Sequence, residues 1–406
     1  MRDEVMSRKH ILFLSFYYRP DLCAGSFRAS SLVEALLSQL DGNFIVDVMT
    51  TMPNRYNSFD CGLHEDEEHA RLRVHRISLP KHKSGMVDQS IAFWTFARVV
   101  LAMTKGQDYS FVFATSSRLM TATLGAYISR KHKAPLYLDI RDIFVDTINE
   151  VLPRKAAFFL KPFFSMVERF TFSRAEKINL VSEGFKSYFR ERYPAKRYSF
   201  FTNGIDHEFL EAVSVMTVGV QKLPGAVVTV LYAGNMGEGQ GLHGIIPELA
   251  KRLEGVVKFR LIGDGGRKAL LEKKLSDAGC RNVELLPPMP RNQLIEEYQR
   301  ADVLFLHLND YQAFEKVLPS KLFEYGAFGK PVWAGVAGYA AEFVNAEMDN
   351  AAVFQPCDVS GALSAFRTLS LSPVVRESFI RKFSRSAIMD AMAADILTLA
   401  GSGKVK

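Results

Sequence analysis

Lys321 and Glu324 stand three residues apart in the run Pro319-Ser320-Lys321-Leu322-Phe323-Glu324-Tyr325. On a helix that spacing puts the ammonium and the carboxylate on one face. The run follows an apolar stretch, Ala301 to Leu306, and an irregular segment from His307 to Leu318. It closes on Gly329-Lys330-Pro331. Leu322, Phe323, Tyr325 and Ala327 would face inward, with Ser320 as the N-cap. A strand, a loop and a helix N-terminus form the arrangement with which an open parallel sheet binds a nucleotide diphosphate. Free amides and the helix dipole favour phosphate, and Lys321 adds a full charge. A carboxylate one turn further in can accept hydrogen bonds from both ribose hydroxyls. The same residues also fit an ordinary αβ unit with an i,i+3 ion pair, and the pattern alone does not choose.

Two further positions sit where open α/β sheets place their chemistry. Arg141-Asp142 follows the strand-like Leu136-Tyr137-Leu138-Asp139-Ile140, at its carboxyl end. A general base or a helix cap would each use an Asp there. Gly25 lies in Ala24-Gly25-Ser26, after the apolar strand Ile11–Phe16 and before a helix with Ala29, Leu32, Val33, Leu36 and Leu37 inward. This is not the GxGxxG fingerprint of dinucleotide binders. One glycine serves either tight packing or close approach to a phosphate or sugar.

These positions depend on alternating strands and helices. Strands are expected at 44–49, 74–77, 111–114, 136–140, 177–181 and 199–201, with Asn203 to Asp206 as a turn. Glu65 to Glu68 reads as a solvated acidic loop. The pattern weakens between 212 and 226, as a linker would. It restarts with Val227 to Gly234 and runs on through 258–262, 283–286 and 301–306, with helices at 242–254, 267–278 and 291–299. Two successive β/α runs of similar size imply an α/β protein with two doubly wound domains. The domains are expected at 1–210 and 211–385, with a last helix at 386–406 able to cross back to the first.

The chain has 406 residues, a net charge of +7 and 31 Phe. The charge favours an anionic partner: nucleic acid, an anionic bilayer and phosphorylated substrates all fit. The four cysteines, Cys23, Cys61, Cys280 and Cys357, form no CxxC, which suits a reducing compartment and gives no metal framework. Met1 to His10 lacks the apolar core of a signal peptide, and no apolar run reaches a membrane span.

The order of motifs resembles the retaining glycosyltransferases of family 4. Tyr-Ala-Gly-Asn-Met-Gly from Tyr232, Gln240-Gly241-Leu242, Ile262-Gly263-Asp264-Gly265 and the Pro319 to Tyr325 run occur in that family's order, after Asn203-Gly204-Ile205-Asp206. The resemblance implies the GT-B architecture, two Rossmann-like domains facing across a cleft, with acceptor bound by the first and donor by the second. It is similar to the branch that builds bacterial surface polysaccharides, such as N-acetyl-fucosaminyl and related amino-sugar transferases. It implies a UDP-sugar donor carrying an N-acetylated amino or deoxy sugar, and a polyprenyl-diphosphate-linked saccharide acceptor. The product would serve O-antigen, capsule or other surface-glycan synthesis. A hydrolysing nucleotide-sugar 2-epimerase or a non-catalytic partner subunit would share the fold.

Residue by residue, the resemblance implies donor binding by Gly25, Asn235, Arg267, Leu318, Pro319, Ser320, Lys321 and Glu324, with Asp142 and Arg141 catalytic. Three positions depart from the family. Asn235 and Gln240 stand where an Arg and a Lys usually hold the diphosphate, leaving Lys321 and Arg267 for that charge. Lys316, beside Glu315, stands eight positions before Glu324, where the first of two paired glutamates is usual. No Asp-x-Asp occurs, so no cofactor or metal is expected, and nucleic acid is not expected as a partner.

The segment Leu152 to Arg174 mixes Phe158, Phe159, Leu160, Phe163, Phe164, Val167, Phe170 and Phe172 with Lys155, Lys161, Arg169 and Arg174. Pro153 and Pro162 are expected to break it into shorter helices. Ile91 to Lys105 is a second aromatic and basic segment. Such faces suit either a domain core or an anionic membrane surface. With a lipid-linked acceptor, the latter gives a cytoplasmic protein held peripherally at the inner face of the plasma membrane.

Overall fold

A computed structural model describes residues 8–401, apart from 22, 54–65, 81–85, 117–118, 144, 146–153 and 215–224. The side chains of 86–87, 154–159 and 214 also fall outside the description. Cys61, Glu65, Leu152, Pro153, the side chains of Lys155, Phe158 and Phe159, and most of the 212–226 linker therefore lie outside the described residues. The chain divides into unit 1, Met1–Asn203 with Arg385–Lys406, and unit 2, Gly204–Ser384.

Unit 1 contains β1 (Lys9–Leu14), α1 (Ala24–Gln39), β2 (Phe44–Thr51), β3 (Asp66–His69), β4 (Leu72–Ile77), α2 (Met86–Met103), β5 (Tyr109–Thr115), α3 (Leu119–His132), β6 (Leu136–Ile140), α4 (Arg154–Arg174), β7 (Lys177–Leu180), α5 (Lys186–Arg192) and β8 (Arg197–Ser199). The sheet order is β3-β4-β2-β1-β5-β6-β7-β8. All pairings are parallel except β3 with β4. Side chains alternate across the sheet. Phe13, Val46, Val48, Phe111 and Phe113 pack under α1. On the opposite face Gly125 of α3 lies against Ala114 and Leu14.

Unit 2 contains α6 (His207–Ser214), β9 (Val228–Ala233), α7 (Leu242–Arg252), β10 (Val257–Ile262), α8 (Lys268–Asp277), β11 (Val283–Leu286), α9 (Arg291–Arg300), β12 (Val303–His307), α10 (Lys321–Ala327), β13 (Val332–Gly335), α11 (Gly338–Glu347), β14 (Ala351–Phe354), α12 (Val359–Thr368) and α13 (Glu377–Lys382). Its sheet is wholly parallel, in the order β11-β10-β9-β12-β13-β14. That is the order of a dinucleotide-binding sheet, whose ligand crevice lies where the order reverses, between β9 and β12. The chain then returns to unit 1 as α14 (Arg385–Ala400), which packs along α1 and buries Met389, Met392, Ala393 and Ile396 in the unit 1 core.

Five expectations are corrected. Asp66 to Glu68 belong to β3 rather than a loop, because each residue finds a cross-strand partner on β4: Asp66 with His75, Glu67 with Arg76, Glu68 with Arg73. Pro162 lies inside a continuous α4. The strand expected at 199–201 ends at Ser199, because the Phe201 amide and carbonyl bond the Asn179 side chain instead. Asn203 to Asp206 is not a turn: Ile205 bridges Ser384 and donates to the Phe383 carbonyl at 2.8 Å. The boundary read at 210 falls inside α6, whereas the units divide at 203/204.

The amino-terminal helix and the end of unit 1 are joined by a buried ion pair. Arg28 on α1, 1% exposed, donates to both oxygens of Asp139 on β6 at 2.8 and 2.9 Å. It also donates to the carbonyls of Phe201 and Thr202 at 2.8 and 2.6 Å. Asn179 adds a bond to Asp139 at 2.7 Å. Burial pushes the Asp139 carboxyl up, but Arg28 and Asn179 overcome it and hold it below its ordinary value. Removing one charge leaves the other buried and unpaired. Arg28→Ala and Asp139→Ala should each destabilise unit 1 by about 3–5 kcal/mol. The double variant Arg28→Met/Asp139→Leu should lose less than the sum, as urea unfolding would show.

Candidate functional site

The reversal point of the unit 2 sheet brings together the loops after β9 and β12. In the first, Asn235 Nδ2 donates to Gln240 Oε1 at 2.8 Å, and the Asn235 carbonyl accepts from the buried Tyr232 hydroxyl at 2.6 Å. The two positions lacking the family's cations therefore bond to each other. The second loop is stapled onto the first. The Asn309 amide donates to the Gly239 carbonyl at 2.8 Å, and Asn309 Nδ2 donates to the Glu238 carbonyl at 3.0 Å. Tyr311 donates to Glu238 Oε1 at 2.8 Å, while Arg267 pairs with Glu238 Oε2. The Tyr311 hydrogen bond, then Arg267, holds the Glu238 carboxyl below its usual range despite partial burial. Gly263 lies against this loop with φ at +143°, and a Cβ there would overlap the Gly234 carbonyl oxygen.

His307 ends β12 and is fully buried. Its Nδ1 donates to the Gln240 carbonyl at 2.7 Å, and its Nε2 accepts from the Cys357 amide at 2.9 Å. Those partners require a neutral ring protonated on Nδ1. Burial lowers its pKa from 6.5 to about 4. Gly335 makes room for the ring, since a Cβ there would overlap His307 Cδ2.

On α10 the inward residues Leu322, Phe323 and Tyr325 are fully buried, each worth about 1.5–3 kcal/mol. Ser320 occupies the N-cap position, but its side chain makes no capping bond. Leu318 is buried and Pro319 half-buried beside it. Lys321 Nζ lies 2.8 Å from Glu324 Oε2. Tyr298, on α9 and 0% exposed, donates its hydroxyl to the same Oε2 at 2.8 Å and accepts from Lys321 at 3.0 Å. Among the described residues both partners of the carboxylate use Oε2, and Oε1 has none.

In unit 1 the structure brings Arg141 to Gly25. Arg141 is half-buried, with Nη1 3.3 Å from the Ala24 carbonyl and its amide bonded to Ser116 Oγ at 3.0 Å. Asp142 is exposed, although the protein around it is dense enough to raise its carboxyl above the ordinary value, opposed by the Arg141 charge. Lys316 and Glu315 close a short 3-10 helix, Gln312–Lys316, before the α10 run. Among the described residues, no three His, Cys, Asp or Glu side chains cluster as a metal site would require.

Sequence reasoning missed Glu238, Tyr298, His307 and Tyr311. Each acts through a partner distant in the chain. The available signal was that His307 interrupts an apolar strand end and that Tyr298 is the inward aromatic of a polar helix.

Residues 28–204 match the family model described as glycosyl transferase 4-like domain, and residues 220–384 match glycosyl transferases group 1. The chain belongs to the GT-B glycosyltransferases. Over 100 residues it is 35% identical to a protein of Escherichia coli (strain K12) named as the colanic acid biosynthesis glycosyl transferase WcaI. That match spans 25% of this chain and 24% of the relative, about a quarter of its length. Anabaena Alr3699/HepE, solved in complex with UDP and glucose, superposes with a TM-score of 0.59 at 17% identity, over 96% of this chain and 97% of its own. WaaG, a glycosyltransferase involved in lipopolysaccharide biosynthesis, gives 0.59 at 15% identity over 97% and 95%. At these identities the structures share the fold.

The His307 geometry makes unit 2 acid-sensitive. The folded pKa lies below the unfolded value, so the native state is favoured above pH 6.5 and loses stability as pH falls from there towards 4. The shift corresponds to about 3 kcal/mol once both states are protonated. Unfolding followed by Trp333 fluorescence in a Trp94→Phe background should show this slope. His307→Phe should be less stable at pH 7, with two backbone groups unpaired, and flatter between pH 6.5 and 4.

Proposed function

We propose that this protein transfers a sugar from a UDP-sugar to a polyprenyl-diphosphate-linked saccharide in the synthesis of a bacterial surface glycan, with retention at the anomeric carbon and without a metal. The observation that carries the reading is the Glu324 carboxylate. It stands one turn into a helix at the carboxyl end of a parallel sheet, one oxygen held by Lys321 and Tyr298 and the other open. That is a receptor for vicinal ribose hydroxyls. The HepE complex with UDP, a protein of the same fold, is consistent with a uridine diphosphate donor. The colanic acid and lipopolysaccharide roles named for WcaI and WaaG agree with a surface glycan as product.

Departure of UDP builds negative charge on the leaving phosphate and positive charge on the sugar. Lys321, Arg267 and the amides beginning α10 would oppose the first. Asn235, Leu318, Pro319 and Ser320 would line the donor, and Gly25 carries over as a further donor-binding position. Arg267 must exchange Glu238 for the diphosphate. Asp142, open to solvent at a strand end, would orient or deprotonate the acceptor hydroxyl, with Arg141 beside it. An N-acetylated amino or deoxy sugar is the donor sugar class to test first.

Membrane-surface binding belongs to the same proposal. No described helix is long and apolar enough to cross a membrane. The inner face of α4 is fixed by Glu168, which accepts from Tyr188 and Tyr193, and by Thr171, bonded to Thr123. Its outer face shows Phe163 at 51% and Met166 at 64% exposure, with Lys161 and Arg169 exposed beside them. On α2, Trp94 is 62% exposed with Arg98 over its ring. Exposed rings edged by cations suit an anionic headgroup layer, each cation adding about 1 kcal/mol.

Two experiments test these readings. UDP release from candidate UDP-sugars should require added acceptor lipid and survive EDTA, and Glu324→Ala should lower kcat/KM for the donor by about 2–4 kcal/mol while the protein stays folded. Hydrolysis of donor alone would overturn the transferase reading. Secondly, the protein should co-sediment with anionic liposomes at low salt and less at high salt, and Trp94→Glu/Phe163→Glu/Met166→Glu should not. Equal binding by that folded variant would remove the proposed face.

A further inference from the structure

Tyr298 is given no contact with substrate in the proposed chemistry, yet its hydroxyl bonds two charged groups of the site, Glu324 and Lys321. The ring is 0% exposed and lies among other aromatics: Tyr325 at 5.6 Å, Phe328 at 5.1 Å and Phe209 at 6.0 Å. Such packing leaves the ring little room to move. Burial, then the Glu324 charge, pushes the phenol well above its ordinary pKa, so it remains a donor. It has two partners. It donates to Glu324 Oε2 at 2.8 Å and accepts from Lys321 Nζ at 3.0 Å. Lys321 also bonds the same Oε2 at 2.8 Å. The three groups form a closed triangle.

A carboxylate bonded by a single donor can still swing about its own axis. Here two donors from different helices, α9 and α10, converge on Oε2. That fixes the carboxylate plane and leaves Oε1 as the accepting atom. We infer that Tyr298 is a positioning residue: its buried hydroxyl orients Glu324 for the donor ribose, and with Lys321 it makes unit 2 discriminate ribonucleotides from their deoxy counterparts. Tyr298 touches no substrate and acts only through Glu324. The inference rests on the proposed role of Glu324.

A purely structural tyrosine would fail differently, and this sets the test. Calorimetry of UDP and 2′,3′-dideoxy-UDP binding is compared for the wild type, Tyr298→Phe, Glu324→Ala and Glu324→Gln. Phenylalanine keeps the ring and the packing. The expected result is a roughly five- to tenfold loss of UDP affinity in Tyr298→Phe, with dideoxy-UDP affinity unchanged. Glu324→Gln keeps an acceptor for the Tyr298 hydroxyl, and it should cost less on the Tyr298→Phe background than on the wild type. Glu324→Gln also serves in place of Glu324→Ala if the alanine variant is unstable.

Equal weakening of both ligands by Tyr298→Phe, or unchanged UDP affinity in a folded Tyr298→Phe protein, overturns the positioning role. If Glu324→Ala itself binds UDP normally, it is the ribose reading of Glu324 that fails.

Discussion

A guanidinium and a carboxylate sealed from water, Arg28 and Asp139, tie together nearly everything unit 1 must hold in register. Arg28 lies on the first helix, Asp139 on the strand that leads to Arg141 and Asp142, and the carbonyls of Phe201 and Thr202 end the first pass through the unit. Asn179 completes the set from β7. Strand packing alone would leave the position of α1 against β6 free to slide by a fraction of an ångström. Directional bonds to a buried charge do not permit that, because every displaced bond leaves an unsolvated ion. Gly25, at the start of α1, and Arg141, two residues after Asp139, inherit their closeness from this pair.

Unit 2 solves the same problem with neutral groups. The loop after β9 carries Asn235 and Gln240 in place of cations, and they satisfy each other. His307 then pins that loop from beneath through the Gln240 carbonyl, and Asn309 pins it from the side. In the proposed reading the positive charge for a diphosphate comes from Lys321 and Arg267. Both are paired with carboxylates, Lys321 with Glu324 and Arg267 with Glu238. In that reading Arg267 leaves Glu238 for the diphosphate, so part of the binding energy goes into exchange of partners, while Lys321 keeps Glu324 and offers its third N–H.

Most of the fold was legible because the strands are continuous apolar runs, as strands buried on both faces must be. Helix α10 was legible down to its inward residues, since apolar spacing and Gly329 left little choice. The pairing of Lys321 with Glu324 followed from spacing. That Tyr298 joins the pair did not, because α9 is far away in sequence. The acidic stretch at Asp66 misled because charge is usually a loop signal, while here each charge has a cross-strand partner. Pro162 misled because the helix geometry around it absorbs a missing amide. The role of Glu238 was invisible and that of His307 marked only by an interrupted strand end: both bond backbone or side chains that only the folded sheet brings near.

Unit 1 is built from two separated pieces of chain, and the second is α14. During synthesis, 1–203 emerges with the Ile11, Phe13, Val46 and Val48 face of its sheet under α1 still short of Met389, Met392, Ala393 and Ile396. At ~5–20 residues per second the ribosome needs roughly 10–40 s to make the intervening unit. Unit 2, a single uninterrupted stretch, can reach its final core in that interval. The half begun first is therefore the half completed last, and its unfinished apolar surface is open to chaperones, or to the nascent chain beside it, for as long as the other half takes to make.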